Sequence, residues 1–307
     1  MSRKVRVVGG PSRITVIKEM IARVRGPGEL NLARDRARYD SAADAFKAYV
    51  QSAVATADLN GVPCEVHTPK ASDVAGCIIY FHGGGYVLGS PRSHRHLAAE
   101  ICRLTRCVVV VPDYALSPER PFPAALRDGV VVYKAAERRW SHLSMALGGD
   151  SAGGALAVST ALQVRTGDDE RLRAIACLSP WMDLTCTADR YRADAAHDQS
   201  LDSRRLRTYA GQYLGATSAD NPLASPLFAA LGNLPPTLVQ VGREELLYQD
   251  AVSFVEQVRR AGGDITLDVW DDVVHVWQWY WPMLESGGVA LERLAEFLQG
   301  RLEQASA

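Results

Sequence analysis

The chain has 307 residues, of which 47% are hydrophobic and 22% charged, and this balance excludes an intrinsically disordered or collagen-like protein. Its 34 basic and 35 acidic residues leave a formal net charge of -1, so no overall field would draw it to nucleic acid or anionic lipid. No apolar run approaches the roughly 18 residues of a membrane-spanning helix. The basic N-terminus lacks the apolar core of a secretory signal, so a cytoplasmic protein is expected.

The N-terminal segment differs from the rest of the chain. Apolar residues recur at helical spacing from Ile14 to Val24, and Gly26-Pro27-Gly28 ends the predicted helix. A second helix is predicted from about Ser41 to Val50. Residues 1–38 carry ten basic and three acidic side chains. The pattern favours a basic lid over the rest of the molecule, and a membrane-surface or targeting segment is the alternative.

From about residue 54, short apolar runs alternate with helical patterns. Strands are predicted at Cys77–Phe81, Cys107–Val111, Met145–Leu147, Ile175–Leu178, Leu238–Val241 and Ile265–Trp270. Helices are predicted around 93–105, 123–139, 152–165, 250–261 and 289–303. Strands that alternate with helices indicate an α/β protein with a parallel sheet covered on both faces. The long polar stretch from Thr185 to Pro236 is predicted to add helices to the lid.

The cysteine pattern predicts neither a metal site nor a disulfide framework. Six cysteines occur, and none are spaced as Cys-x-x-Cys. Cys77, Cys107 and Cys177 lie in apolar segments, where reduced core thiols are expected.

The strongest local signal is Gly-Asp-Ser-Ala-Gly at residues 149–153, between the predicted strand Met145–Leu147 and a helical run. A nucleophile elbow needs a strand, a sharp turn and a helix in this order. It also needs very small residues two positions before and after the nucleophile, and Gly149 and Gly153 meet that requirement. Ser151 is therefore the predicted nucleophile, at a helix N-terminus that favours developing negative charge.

A second signal, His82-Gly83-Gly84-Gly85, directly follows the predicted strand Cys77–Phe81. Acyl transfer creates an oxyanion that preorganised N–H donors must stabilise, and glycine amides allow close approach because they carry no Cβ. A flexible turn and a phosphate-binding loop are the alternatives, and the lack of a following Gly-Lys-Ser/Thr excludes the phosphate loop. The predicted oxyanion donors are the N–H groups of Gly83, Gly84 and Ala152.

In hydrolases whose nucleophile lies on such an elbow, the acid and then the general base follow the nucleophile in the chain. Only His197 and His275 lie after Ser151, and His275 follows the last predicted strand, as this arrangement requires. His197 lies in the polar lid-like stretch. A buried carboxylate must orient the imidazole and stabilise the imidazolium. The candidates that follow the strand Leu238–Val241 are Glu244, Glu245 and Asp250.

Together these residues resemble the hormone-sensitive lipase-like (bacterial family IV) carboxylesterases of the α/β-hydrolase superfamily. The matching blocks are His82–Tyr86, Val111–Glu119, Pro121–Ala125, Gly149–Gly154, Ser179–Leu184, Ala224–Leu227 and Asp272–Val276. The similarity runs from about residue 50 to 303. The family's acid commonly lies three residues after the glycine that ends its strand, which implies Glu245 here, where aspartate is the more frequent residue.

The resemblance implies an eight-stranded, mostly parallel sheet with helices on both faces and a helical cap. The cap is expected at residues 1–50, with a further insertion within about 185–222, and the catalytic domain at 51–307. No cofactor or metal is implied, and a homodimer is compatible because dimers are common in the family. Tyr86 and Asp150 are expected to border the substrate pocket. The aromatic residues from Trp277 to Trp281 are expected to serve mainly in packing.

Three functions compete for this chain. The first is a carboxylesterase that acts on a small-molecule ester of short to medium acyl chain. The second is hydrolysis of a lactone, an amide or a xenobiotic ester by the same residues. The third is a non-catalytic binding protein of this fold, and the presence of both Ser151 and His275 argues against it.

Overall fold

The computed structural model describes residues 13–25, 31–70, 74–165, 171–191, 198 and 200–303. Its centre is an eight-stranded sheet in the order β1-β2-β4-β3-β5-β6-β7-β8, in which all the strands except β2 run in the same direction. The strands are β1 Ala53–Asp58, β2 Pro63–Thr68, β3 Cys77–Phe81, β4 Val108–Pro112, β5 Met145–Asp150, β6 Leu172–Leu178, β7 Thr237–Gly242 and β8 Ile265–Trp270. The expected α/β-hydrolase sheet is confirmed.

Helices cover both faces of the sheet, which explains why the central strands read as continuous apolar runs. The helices within the described residues are α1 Arg13–Arg25, α2 Leu32–Ala42, α3 Pro91–Thr105, α4 Ala124–Arg139, α5 Ala152–Val164, α6 Ser203–Leu214, α7 Tyr248–Arg260 and α8 Glu285–Leu302. Buried side chains of α3 and α8 pack on one face, and those of α4, α5 and α7 pack on the other. No helix among these residues is both long and apolar enough to cross a membrane.

The register of the parallel strands brings the loops that follow them to one edge of the sheet. Phe81 at the end of β3 pairs with Gly149 on β5, and Gly242 at the end of β7 pairs with Trp270 at the end of β8. The glycine-rich loop, the predicted elbow and the loops after β7 and β8 therefore meet at the carboxyl edge, where ligands bind in open α/β sheets.

The second N-terminal helix differs from the sequence prediction. It spans Leu32–Ala42 and is followed by a short 3-10 helix at Ala43–Tyr49, whereas the apolar pattern placed a helix at about 41–50. The apolar pattern of α2 is weak, since Asp35 is its buried residue and Leu32 and Tyr39 are only partly buried against the core. The signal that the sequence offered is Asn31, whose side chain caps the helix by accepting from the Arg34 N–H at 3.0 Å.

Helices α1, α2 and α6 lie around the carboxyl edge of the sheet near the predicted site. Ile17 and Ile21 of α1 pack against Val274 and Trp277, next to the predicted base. α6 lies within the predicted insertion at about 185–222. The boundaries proposed for the cap and the catalytic domain stay predictions.

Candidate active site

Ser151 occupies a strained turn between β5 and α5. Its backbone angles are φ 52° and ψ -122°, a conformation that L-residues adopt only where the surrounding structure enforces it. A Cβ at Gly149 would lie 2.3 Å from the Gly153 carbonyl oxygen, and one at Gly153 would lie 2.0 Å from the Phe81 carbonyl oxygen. The two glycines are therefore required by close packing around the turn, as expected for a nucleophile elbow.

His275 forms a hydrogen bond with Glu245. The distance from His275 Nδ1 to Glu245 Oε2 is 2.5 Å. A carboxylate can only accept, so Nδ1 carries the proton and Nε2 keeps the lone pair that a general base needs. Burial lowers the pKa of the imidazole, but the Glu245 charge and hydrogen bond, with the charges of Asp198 and Asp150, outweigh burial and leave the pKa raised.

Glu245 is fixed on its other side by two donors. Its Oε1 accepts from the Gly242 N–H at 2.6 Å and from Ser179 Oγ at 2.7 Å. The side chain is only 1% exposed. These contacts hold the carboxylate in one orientation, which in turn fixes the imidazole of His275.

The other residues considered for the base and acid have different surroundings. Glu244 is exposed, and Asp250 is buried, where it accepts from the Tyr191 hydroxyl at 3.0 Å. Burial and the neighbouring Asp183 carboxylate raise the pKa of Asp250 well above its usual value. His197 lies outside the described residues. Of the three acids considered, Glu245 is the one that forms a hydrogen bond with His275.

Ser151 and His275 both border a cavity of about 180 Å³ that helices α1, α2 and α6 help to enclose. Much of its lining is apolar, and charged side chains from α2 and from the start of α6 also contribute. The apolar lining residues include Met20, Ile21, Leu88, Leu201, Leu206 and Val276, and the charged ones near these helices are Asp35, Asp202 and Arg205. This arrangement resembles a small-molecule site, which combines apolar walls with a few placed polar groups.

The contacts of the glycine-rich loop correct the prediction that Gly83 is an oxyanion donor. The Gly83 N–H donates to Asp150 Oδ1 at 3.1 Å, so it is not available to an oxyanion. Gly84 and Gly85 border the cavity instead, at φ 120° and 64°. A Cβ at Gly84 would lie 2.3 Å from the Leu88 carbonyl oxygen, so this path of the chain requires glycine.

Ala152 is the first residue of α5, where backbone N–H groups have no acceptor within the helix. Sequence reasoning counted Gly83 among the oxyanion donors and did not consider Gly85, which borders the cavity. The available signal was Asp150, because a buried carboxylate beside the nucleophile needs backbone or side-chain donors.

Asp150 borders the cavity, but its carboxylate is bonded to the protein. Besides Gly83, the Tyr80 hydroxyl donates to Oδ1 at 2.9 Å, and His94 Nε2 lies 3.2 Å from Oδ2. Burial raises the pKa of Asp150, but His94 and the Tyr80 hydrogen bond outweigh burial, so the pKa is lowered and the carboxylate is ionised. Asp150 therefore anchors the glycine-rich loop.

Tyr86 does not border the cavity, contrary to the expectation. It is 1% exposed, and its ring stacks on Tyr213 with 3.7 Å between centroids and 6° between planes. The side chain thus joins the loop to α6 from behind the cavity wall. Trp279 and Tyr280 do border the cavity, whereas Trp277 is fully buried.

The described residues contain no group of three or more His, Cys, Asp or Glu side chains arranged to hold a metal ion. The six cysteines are buried free thiols.

Comparison with known proteins agrees with this geometry. Residues 78–279 match the α/β hydrolase fold family. The chain is 40% identical over 223 residues to an acetyl-hydrolase of Streptomyces hygroscopicus, covering 72% of this chain and 75% of the relative. It is 31% identical over 280 residues to an esterase of Acinetobacter venetianus, covering 90% and 92%.

A crystal structure of an esterase from the bacterial hormone-sensitive lipase family superposes with a TM-score of 0.90 at 36% identity, over 96% of this chain and 99% of that one. The sheet, the family match and these relatives agree. The chain belongs to the α/β-hydrolase fold family and is a carboxylesterase of the hormone-sensitive lipase type.

Proposed function

We propose that this carboxylesterase cleaves esters of short acyl chain through an acyl-enzyme intermediate on Ser151. The observation that carries the proposal is the 2.5 Å hydrogen bond between Glu245 and His275, whose imidazole borders the same cavity as the strained Ser151. An oriented base facing a serine on an elbow is the arrangement that activates a hydroxyl nucleophile.

In the first half-reaction, Ser151 Oγ attacks the ester carbonyl carbon and His275 Nε2 takes the hydroxyl proton. The carbonyl oxygen becomes an oxyanion that accepts from the N–H groups of Gly84, Gly85 and Ala152. The tetrahedral intermediate collapses, the alcohol leaves with the proton from His275, and the acyl group stays on Ser151. Glu245 stabilises the imidazolium that forms in between.

In the second half-reaction, His275 takes a proton from water, and the resulting hydroxide attacks the acyl carbon. The same N–H donors stabilise the second oxyanion. Collapse of this intermediate breaks the bond to Ser151, which recovers its proton from His275, and the carboxylic acid leaves. Both steps use one base and one set of donors.

The size of the cavity supports a short acyl group. Its volume of about 180 Å³ lies below the roughly 300–1,000 Å³ that is typical of sites for drug-sized ligands. One relative is named an acetyl-hydrolase. We therefore expect acetyl to butyryl esters to react fastest. The cytoplasmic location and the homodimer stay predictions from the sequence.

A panel of p-nitrophenyl esters from acetate to palmitate, with a lactone and an anilide beside them, tests this function. We expect kcat/KM to be highest for acetate to butyrate. A single organophosphate should add to Ser151 and block hydrolysis, as read by mass spectrometry of the digested protein. A preference for palmitate or for the lactone would contradict the proposed substrate class, and labelling elsewhere would contradict the nucleophile.

A further inference from the structure

A chain of hydrogen bonds joins the glycine-rich loop to the start of α3, and two of its members, Asp150 and His94, border the same cavity as Ser151 and His275. It begins at the Gly83 N–H, which donates to Asp150 Oδ1, and continues from Asp150 Oδ2 to His94 Nε2 at 3.2 Å. His94 is fully buried and lies in the first turns of α3. Because the ionised Asp150 carboxylate only accepts, His94 Nε2 carries the proton of this bond.

The ring of His94 is held from its other side by the start of α3. Its Nδ1 lies 2.8 Å from Ser93 Oγ, and Ser93 forms a capping box with Ser90. Ser90 Oγ in turn donates to Asp40 Oδ1 of helix α2 at 2.6 Å. The imidazole therefore has a fixed orientation, with Nε2 aimed at Asp150.

We propose that His94 is a positioning residue for ester hydrolysis, which acts through Asp150 on the oxyanion donors Gly84 and Gly85. This inference rests on the proposed function. His94 does not take part in bond making, and its role is to donate to Asp150 Oδ2 so that Oδ1 stays aligned with the Gly83 N–H.

The physical reason is the cost of a buried carboxylate that lacks a donor. Asp150 is 1% exposed, so loss of this donor leaves a poorly solvated carboxylate, which must turn or take up a proton. Either change weakens the bond that holds Gly83. The next two glycines then lose their alignment, and a displacement of about 1 Å at a reacting centre can cost about 10²-fold in rate.

Two amide substitutions of His94 distinguish the role of its Nε2 from that of its Nδ1. His94→Gln places an amide N–H near the position of Nε2, whereas His94→Asn places it near Nδ1. We expect the Gln variant to keep kcat for p-nitrophenyl butyrate within about threefold of wild type. We expect the Asn variant to lose about 10- to 100-fold in kcat with little change in KM, because oxyanion donors act in the transition state.

His96→Asn is the matched control. His96 is also buried on α3, but its Nε2 bonds to the Trp279 carbonyl oxygen at 2.7 Å and has no bond to Asp150. We expect this variant to keep kcat within about threefold of wild type, whatever it loses in melting temperature. A trifluoromethyl ketone, whose adduct carries an oxyanion, should bind the His94→Asn variant about 10-fold or more weakly and the Gln variant normally.

Equal kcat values for the Gln and Asn variants of His94, or a loss in the Asn variant no larger than in His96→Asn, would overturn the proposal. If His94→Asn does not fold, Ser93→Ala removes the partner of Nδ1 and leaves His94 in place. That variant should lose about threefold to tenfold in kcat at constant KM, and an unchanged kcat would overturn the proposal. Failure of the proposed function is distinct, because the wild-type protein itself would then not hydrolyse the ester.

Discussion

Replacing Glu245 by glutamine tests the electrostatic core of the proposed mechanism. The substitution Glu245→Gln keeps the volume of the side chain but leaves it only one acceptor oxygen. Two donors, the Gly242 N–H and Ser179 Oγ, already bind one carboxylate oxygen at 2.6 and 2.7 Å. The amide oxygen is therefore expected to stay with them, and the NH₂ group then faces His275.

The consequence is an inverted imidazole tautomer. An NH₂ group only donates, so His275 Nδ1 must accept, and the proton moves to Nε2, where a base needs its lone pair. The charge that stabilised the imidazolium is lost as well. Loss of a triad carboxylate by amide substitution costs about 10⁴-fold in kcat, which corresponds to about 5.4 kcal/mol. We expect a loss between about 10²- and 10⁴-fold, near the upper end.

The assay is steady-state hydrolysis of p-nitrophenyl butyrate at pH 8, with thermal unfolding measured in parallel. Glu244→Gln is the matched control, because it makes the same change on the exposed neighbouring side chain, and it should stay within about threefold of wild type. If Glu245→Gln retained more than a tenth of the wild-type kcat, the assignment of Glu245 would be refuted. A large loss in Glu244→Gln instead would move the acid by one residue.

Three further predictions concern the nucleophile, the base and a buried acid. Ser151→Ala should abolish hydrolysis while the melting temperature changes little, and substantial activity against p-nitrophenyl butyrate would remove Ser151 from the mechanism. The kcat/KM should fall as the pH drops through a value above 6.5, because the raised pKa of His275 means that the imidazolium, which accepts no proton, forms early on acidification; a flat profile down to pH 5 would exclude His275 as the base. Asp250→Asn should act on stability. The raised pKa of Asp250 means that the folded protein keeps a proton on this carboxyl at pH values where the unfolded chain has lost it, so the stability of the wild type falls as the pH rises above the pKa of Asp250 in the unfolded chain. The Asn variant lacks this loss of stability. Its melting temperature minus that of the wild type should therefore be higher at pH 8 than at pH 4, and the opposite trend would contradict the argument.

Much of the fold was predictable because its signals are local. Apolar runs that alternate with helical patterns indicated the parallel part of the sheet, and the structure confirms this class. Strand β5 extends to Asp150, three residues beyond the predicted Leu147, because Gly148 and Gly149 pair with Tyr80 and Phe81 on β3. Glycine has low strand propensity, so only the neighbouring strand decides that these residues are extended.

The sequence alone determined the order of the chemical groups along the chain. A small-residue turn between a strand and a helix nominated Ser151, a glycine run after a strand nominated the oxyanion loop, and chain order nominated His275. These inferences depend on residues that are close in sequence, where backbone sterics limit the possible conformations. The same reasoning left three acids open, until the resemblance to a known family singled out Glu245.

Only the tertiary structure decided which atoms meet. Glu245 reaches His275 because Gly242, at the end of β7, and Ser179, directly after β6, bind its other oxygen. The Gly83 N–H is not available as an oxyanion donor, because it donates to Asp150, which lies 67 residues later in the chain. Gly84 and Gly85 border the cavity instead. Hydrogen bonds between distant segments depend on strand order and register, and a pattern read along the chain does not contain that information.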